Sequence, residues 1–424
     1  MQIQELYTIF LQHPSIQTDT RSLKQGDIFF ALKGPTFNGN KFAKQAIESG
    51  ASYVIVDEET GHQDERIIKT EDVLHTLQQL AKYHRQQFNI PFIAITGSNG
   101  KTTTKELVHE VLSTTYKTYT TKGNLNNHIG IPLTILSVKK DAEIAVIEMG
   151  ANHQKEIEGY CDYCMPTHGI ITNIGKAHLE GFGGEEGVKK GKGELFDYLR
   201  AHDGTVFIMN DYDHLKEISK GIAEVITYGT AEADVIGTTN KSNEFLEVLI
   251  KKGPSIKTNL VGEYNLPNVL VAVTVGRYFK VADEKIKSAL ENYVPSNSRS
   301  QLIEKGSNKI ILDAYNANPT SMKAAIENFA KMTGNKKVLL LGGMAELGDE
   351  SLKEHEGIIE LINKFKWDAV VLVGGDYNKI ANNFIYFNNS SEAKGWLQQQ
   401  KFSDTTLLVK GSRSMQMEKV LEEN

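Results

Sequence analysis

The strongest constraint on this chain is a pattern that recurs along most of its length. Short continuous apolar runs stop at a glycine or a polar turn and are followed by helical stretches: FIAITGSNG, IAVIEMGAN, GIITNIGKAH, GTVFIMNDYD, KIILDAYNAN, KKVLLLGGMAELG, DAVVLVGGD and TTLLVKGSRS. A run of four to eight apolar residues without alternation has to be covered on both faces. Helical crossovers cover parallel strands in that way, which points to βαβ units and an α/β fold. Ligands of such sheets bind at the carboxyl ends of the strands, so the residues just after each run are the first candidates for chemistry. The 36 glycines against 9 prolines fit a chain with many tight strand-to-helix turns.

Length and texture divide the 424 residues into three α/β units. Residues 1–89 combine strand-like DIFFALKG and SYVIVD with helical pieces: one over Lys41 to Glu48, and an amphipathic one after Asp72 carrying Leu74, Leu77, Leu80 and Ala81 on one face. Pro91 marks the first break. Residues 90–298 hold a central parallel sheet of the P-loop ATPase type, ending in helices from Tyr264 to Tyr293 and the polar run PSNSRS. Residues 299–424 repeat the rhythm as a Rossmann-like sheet. The net charge of −6 argues against a nucleic-acid partner. The 2 cysteines are too few for a disulfide scaffold. No apolar run reaches membrane-spanning length, and the first residues lack a signal-peptide pattern, so a cytoplasmic protein without membrane insertion is expected.

The richest turn is Gly97-Ser98-Asn99-Gly100-Lys101-Thr102, between the strand FIAIT and a helix marked by Leu107, Val108, Val111 and Leu112. It reads G-x-x-G-K-T, a shortened Walker A loop. Its backbone N–H groups and helix N-terminus suit a phosphate, Lys101 neutralises terminal phosphates, and the Thr102 hydroxyl suits Mg²⁺. Glu148 ends IAVIE and His178 follows GIITNIG, both on strand ends where a metal-binding group is expected. Magnesium prefers oxygen donors, so a histidine ligand needs that added context. Lys189, Lys190 and Lys192 on their own read as a solvated basic turn opening a helix. Asn210-Asp211 is another polar strand end. Cys161 and Cys164 lie one helical turn apart with no second pair, which speaks against a metal or redox role. Trp367 and Trp396 read as packing residues, and His355 as a helix-surface histidine.

TGSNGKTTTKE, GNLNNHIGIPLT, EMGANHQKEI, NIGKAHLEGFGG, GKGELF, LDAYNANPTSM and KGSRSMQME together resemble the Mur ligase family, and TDTRSLKQGDIFFALKG extends the resemblance to the N-terminus. DAYNANP, MAELG and KGSRS favour the branch that adds D-alanyl-D-alanine. The resemblance implies an ATP-dependent amide ligase acting on UDP-N-acetylmuramoyl-tripeptide and D-alanyl-D-alanine through an acyl phosphate and a tetrahedral intermediate, as a monomer. It also implies ATP, two Mg²⁺ and a CO₂-derived carbamate on Lys192 as cofactors. Lys101, Glu148, His178 and Lys192 would be the catalytic set, with Thr102, Glu148, His178 and carbamylated Lys192 as metal ligands. The ATP site would comprise Gly97, Ser98, Asn99, Gly100, Lys101, Thr102 and Thr103, with Asn265, Asn268, Arg299, Asp313, Tyr315 and Asn316. Arg299 would move in from the linker as the site closes. Thr20, Arg21, Lys33 and Gly34 would meet the uridine nucleotide. Asn124, Asn126, Asn127 and Asn318 would meet substrate, and Lys410, Ser412 and Arg413 the dipeptide carboxylate.

The chain departs from the family pattern at Asn38-Gly39-Asn40, where Asp-Gly-His is usual, at Tyr264 for histidine, at Gly343 for aspartate, and in the Asn-Ser pair before Arg299. Two alternatives stay open: another amino-acid-adding member of the family, and a nucleotide-binding scaffold without catalysis. The usual D-N-P-R recognition motif of the enzymes adding the third peptide residue is absent.

Overall fold

The apolar runs form strands in three larger sheets in the computed structural model, which describes residues 1–240, 245–296, 298–334 and 336–422. The N-terminal sheet has four parallel strands, in the order Ile16–Gln17, Ile28–Phe30, Tyr53–Val56, Ile67–Lys69. Among the described residues the central sheet has nine strands and the C-terminal sheet six. In the central sheet Phe92–Thr96 lies between His168–Ile171 and Ile144–Glu148. The loops after these three strands therefore meet at one end of the sheet. Every residue of Phe92–Thr96 and Ile144–Glu148 is buried, as continuous apolar runs require.

The central sheet is not parallel throughout. Phe245–Ile250 and Ser255–Val261 join it antiparallel beyond Val235–Thr239. In the C-terminal sheet the hairpin of Gln301–Lys305 with Asn308–Asp313 supplies the antiparallel edge. Asn308–Asp313 then pairs parallel with Thr405–Lys410, which brings Asp313 opposite Lys410. The two later sequence motifs thus share one strand end.

The helix Val73–Arg85 starts where Asp72 accepts the His75 N–H (2.7 Å) and buries Leu77, Leu80 and Ala81. It packs against the central helices Gly130–Leu136 and Glu156–Cys164. Arg85 anchors this join: its guanidinium donates to Cys164 O (3.0 Å), Met165 O (2.9 Å) and Phe88 O (2.9 Å) and lies 3.9 Å over the Phe92 ring. A cation on the last carbonyls of Glu156–Cys164 also complements that helix's dipole. Cys161 and Cys164 are free and buried within the same helix, and burial pushes the Cys164 thiol up to about 12. Trp367 stacks on Phe329 (5.7 Å), and Trp396 packs between Phe387 and Phe402. Among the described residues, no helix is long and apolar enough to cross a membrane.

Candidate active site

The phosphate loop joins Phe92–Thr96 to the helix Lys101–Ser113. Two of its glycines are geometrically required. Gly97 has φ +138°, and a Cβ there would lie 2.1 Å from Thr172 Oγ1; Gly100 has φ +80°, and its Cβ would lie 2.6 Å from Asn268 Oδ1. Gly97→Ala is expected to displace the loop and lower turnover by about 100-fold. Steady-state kinetics beside urea unfolding check this, and normal kinetics with an unchanged unfolding midpoint would contradict it.

Asn173, from the loop after His168–Ile171, holds the phosphate loop through its backbone and side chain. Its carbonyl accepts from Ser98 N (3.0 Å) and its Oδ1 from Asn99 N (3.0 Å), while its Nδ2 donates to Asn99 O (3.0 Å). With those two N–H groups taken, the first turn of Lys101–Ser113 is the backbone that faces an anion. Lys101 Nζ donates to Gly97 O (2.7 Å) and Ser98 O (3.4 Å). Burial pulls its pKa down, with Glu148 opposing and Arg299 reinforcing that shift.

Glu148 is buried at the end of its strand. Its Oε1 accepts from Thr102 Oγ1 (3.1 Å) and Asn126 Nδ2 (2.7 Å). Its Oε2 is buried with no hydrogen-bond partner among the described residues. An orphaned carboxylate oxygen beside a threonine hydroxyl and a phosphate loop is a donor set that fits a magnesium ion.

The C-terminal sheet closes the other side. Asn318 caps the helix Pro319–Lys331, and its Nδ2 reaches Asn99 Oδ1 (2.8 Å). Arg299 lies between Ser298 (φ +56°) and Ser300 (φ +47°), with its guanidinium 3.6 Å over the Tyr315 ring and its Nε buried without a partner among the described residues. Non-glycine residues held in the left-handed region on both sides of one arginine mark strain of the kind found at ligand sites. Within the run 295–300, Asn297 lies outside the described residues. Tyr264 donates or accepts at Ser300 Oγ (2.9 Å), so the residue standing for the usual histidine ties the central unit to the linker. Asn265, Asn268 and Thr104 form a buried chain: Asn268 Nδ2 donates to Asn265 Oδ1 (2.9 Å) and Thr104 Oγ1 to Asn268 Oδ1 (3.1 Å).

These groups line one cavity of about 900 Å³. It gathers Ser98 to Thr103, Asn124, Asn126, Asn127, Glu148 and His178 from the central unit. Asn265, Asn268 and Arg299 join them, as do Asp313, Tyr315, Asn316, Asn318 and Lys410 from the C-terminal sheet. His178 contacts Glu346 through Nδ1.

Other expected residues lie elsewhere. Gly97 shapes the loop without lining the cavity. Lys192 is not a turn residue: it is completely buried within the helix Glu185–Ala201, donating to Ala151 O (2.9 Å) with its nitrogen 4.8 Å over the Phe182 ring. Ala151, not Lys192 itself, forms the cavity wall there. Burial, reinforced by Lys101, drives the Lys192 pKa far down. Lys410 does line the cavity, but it is buried and paired with Asp313 (2.6 Å). Ser412 is buried, donating to Gly343 O (2.6 Å), and Arg413 is exposed and pairs with Glu418 (2.8 Å). The structure brings neither Ser412 nor Arg413 into the cavity, because Ser412 is tied to Gly343 at the end of a neighbouring strand and Arg413 to Glu418.

Thr20, Arg21, Lys33 and Gly34 belong to the N-terminal unit, away from this cavity. Arg21 pairs with Asp19 (2.6 Å) and Lys33 with Asp57 (3.1 Å). Asn40 is buried, donating to Asp57 Oδ1 (2.8 Å) and accepting from Asp57 N (3.0 Å). The Asn38-Gly39-Asn40 departure therefore fixes the strand end that carries Lys33's partner. His355, read from sequence as a helix-surface residue, is fully buried because it serves the MAELG turn: its Nε2 accepts Met344 N–H (3.0 Å) and its Nδ1 donates to Ser351 O (2.7 Å).

Sequence reasoning missed Asn173 and Glu346, and it noted Asp211 as a polar strand end but not its neighbours Tyr212 and His214, which share the cavity wall with it. Asn173 follows the same strand as His178 does, so the strand-end rule could have found it.

Residues 14–85 match the catalytic domain of the Mur ligase family, 95–276 the Mur ligase middle domain, and 298–413 the Mur ligase glutamate ligase domain. A UDP-N-acetylmuramoyl-tripeptide–D-alanyl-D-alanine ligase of Bacillus subtilis is 36% identical, over 96% of this chain and 92% of its own. The chain belongs to the Mur ligase family. The enzyme of the same name from Escherichia coli is 34% identical to this Mur ligase, over 97% of this chain and 94% of its own. A MurF crystal structure from Acinetobacter baumannii superposes with a TM-score of 0.88 at 31% identity, covering 99% of this chain and 97% of that one. The Thermotoga maritima MurF in complex with ADP gives 0.87 at 26% identity, covering 97% of both. The α/β architecture of this Mur ligase is thus that of solved relatives.

Proposed function

We propose that this Mur ligase joins D-alanyl-D-alanine to UDP-N-acetylmuramoyl-tripeptide at the expense of ATP. The observation that carries the reading is full-length similarity to enzymes of that name, together with one cavity walled by a phosphate loop on one side and DAYNAN on the other. On this reading residues 1–89 take the uridine nucleotide, through Thr20, Arg21, Lys33 and Gly34. Residues 90–298 take ATP and the tripeptide end, and residues 299–424 the dipeptide. We take the enzyme to act as a monomer in the cytoplasm, where ATP and nucleotide-activated sugars are supplied.

The tripeptide carboxylate attacks the γ-phosphate of ATP, giving an acyl phosphate and ADP. The dipeptide amine then attacks the activated carbonyl, and the tetrahedral intermediate expels phosphate. The first step brings two anions together, so fixed positive charge has to be in place beforehand. Lys101 and the first turn of its helix serve the phosphates, and Arg299 approaches them from the linker. Asn124, Asn126 and Asn127 orient the peptide end. Asn265, Asn268, Asp313, Tyr315 and Asn316 surround the nucleoside. Asn318, Lys410, Ser412 and Arg413 belong to the dipeptide side, where Lys410 would have to exchange its Asp313 contact for a carboxylate.

Thr102 and Glu148 would hold one Mg²⁺, and His178 with a carbamate on Lys192 a second; bound there, the ions offset phosphate charge. An ammonium cannot ligate a cation, whereas a neutral buried amine can take up CO₂ to become an oxygen donor. The depressed Lys192 pKa supports that chemistry.

A phosphate-release assay tests the reading. Turnover is expected only with ATP, Mg²⁺, UDP-N-acetylmuramoyl-tripeptide and D-alanyl-D-alanine together. The assay is to be run with the lysine and the diaminopimelate tripeptide. Turnover that needs a single amino acid in place of the dipeptide, or none with either tripeptide, would overturn it.

A further inference from the structure

The loop 173–178 of the central unit is held from the C-terminal side at three points. Lys176 N donates to Thr320 Oγ1 (3.1 Å), Lys176 Nζ pairs with Glu354 (2.6 Å), and His178 Nδ1 contacts the Glu346 carboxylate. Beside the last contact, Glu180 N donates to Glu346 O (3.4 Å). Both partners of that contact hold unusual backbone: His178 has φ +54° and Glu346 φ +60°. Two non-glycine residues in the left-handed region, facing each other across a junction, are costly unless the arrangement is used. Glu346 is itself held, because the buried His355 takes the Met344 N–H and fixes the turn that presents it.

We propose that Glu346 is a positioning residue for His178. The Glu346 carboxylate is the charged neighbour of the buried Nδ1 but stands off the line of its N–H; a turn of the ring that aligns the two holds the proton on Nδ1 and leaves the lone pair on Nε2, and His178 lines the cavity. The ring is thereby fixed in the tautomer and orientation that a ligand to a cation requires. The carboxylate comes from the other sheet, so the imidazole is prepared only while the C-terminal unit is docked. Closure and metal-site geometry then become one event. The functional consequence rests on the reading of His178 as a metal ligand given above; the positioning itself does not.

The test uses full-length, metal-free protein labelled with ¹⁵N-histidine, at about pH 8.5 so that imidazoles are neutral, with His178→Gln to assign the signal. Wild type is expected to show the Nδ1–H tautomer at His178. Glu346→Ala should shift it toward Nε2–H, while Glu346→Gln, whose amide oxygen still accepts, should retain Nδ1–H. Glu354→Ala breaks a neighbouring contact only and should also retain it. In the phosphate-release assay, the half-saturating Mg²⁺ concentration should rise on the order of tenfold or more in Glu346→Ala and stay near wild type in Glu346→Gln. An Nε2–H tautomer in wild type, an unchanged tautomer in Glu346→Ala, or the same loss in Glu354→Ala would overturn the assignment. A Mg²⁺ requirement that His178→Gln leaves unchanged would instead sink the metal-ligand reading of His178, with the tautomer result intact.

Discussion

Lys101→Ala is expected to lower kcat for ligation by on the order of 100- to 1000-fold, the loss typical of removing one preorganised charge from a reacting anion. In the structure Nζ is parked on Gly97 O (2.7 Å) and Ser98 O (3.4 Å), carbonyls of the loop that wraps the phosphates. Its partners are neutral, so a polyphosphate offers it far better ones, and exchange costs two ordinary hydrogen bonds. The fold should barely notice the change. Burial already opposes the lysine's charge, and Arg299 adds to that opposition, so the urea midpoint should hold or rise slightly. Lys101→Arg should not restore activity, since a planar guanidinium cannot follow a compact ammonium into a turn closed by Gly97 and Gly100. Steady-state kinetics and equilibrium unfolding on the same preparations separate the two effects. Activity within tenfold of wild type would remove Lys101 from the phosphate site.

The parts legible in the sequence share one physical cause. Parallel strands bury both faces, so FIAIT, IAVIE and KIILD announce themselves as continuous runs, and topology then gathers their ends. Gly97 to Thr102, Glu148 and Asp313 were reachable by that logic alone. Glu224–Gly229 and Ser255–Val261 were not, because the first is exposed or half-exposed over its first four residues, the second alternates buried with more exposed positions, and both interleave polar residues. Contacts across long chain separations were equally silent. Nothing near Asn173 announces Asn99, and nothing in MAELG announces His178. Lys192 is the sharpest case: three lysines in four positions read as a solvated turn, yet Lys189 reaches Glu217 (2.6 Å) at the surface while Lys192 is wholly buried. One helical turn separates the two environments, and only packing against Phe182 and Ala151 tells them apart.

Lys192→Met is expected to abolish most turnover, by at least about 100-fold, while making the protein more stable in CO₂-depleted buffer. The folded-state pKa of Lys192 lies far below its ordinary value, so between the two values the unfolded chain binds a proton that the folded chain does not. Folding then costs the release of that proton. The sign follows: between the folded-state pKa and about 10.4, stability rises with pH, with a slope of up to about 1.4 kcal/mol per unit. Methionine fills similar volume without a titratable group, so this slope should vanish and the neutral-pH stability should rise. Bicarbonate separates a functional amine from a merely buried one. If CO₂ adds to the folded amine, wild type should gain both activity and unfolding midpoint with bicarbonate, as any ligand of the native state requires, and Lys192→Met should gain neither. In Lys192→Ala, a short carboxylic acid such as acetate should recover part of the turnover by returning an oxygen donor to the vacated space. Lys101 contributes to the depressed pKa of Lys192, so Lys101→Ala should also alter the bicarbonate needed for modification, and the two substitutions should combine non-additively. Wild-type stability and activity both indifferent to bicarbonate, or an active Lys192→Met, would reduce this lysine to a buried packing residue.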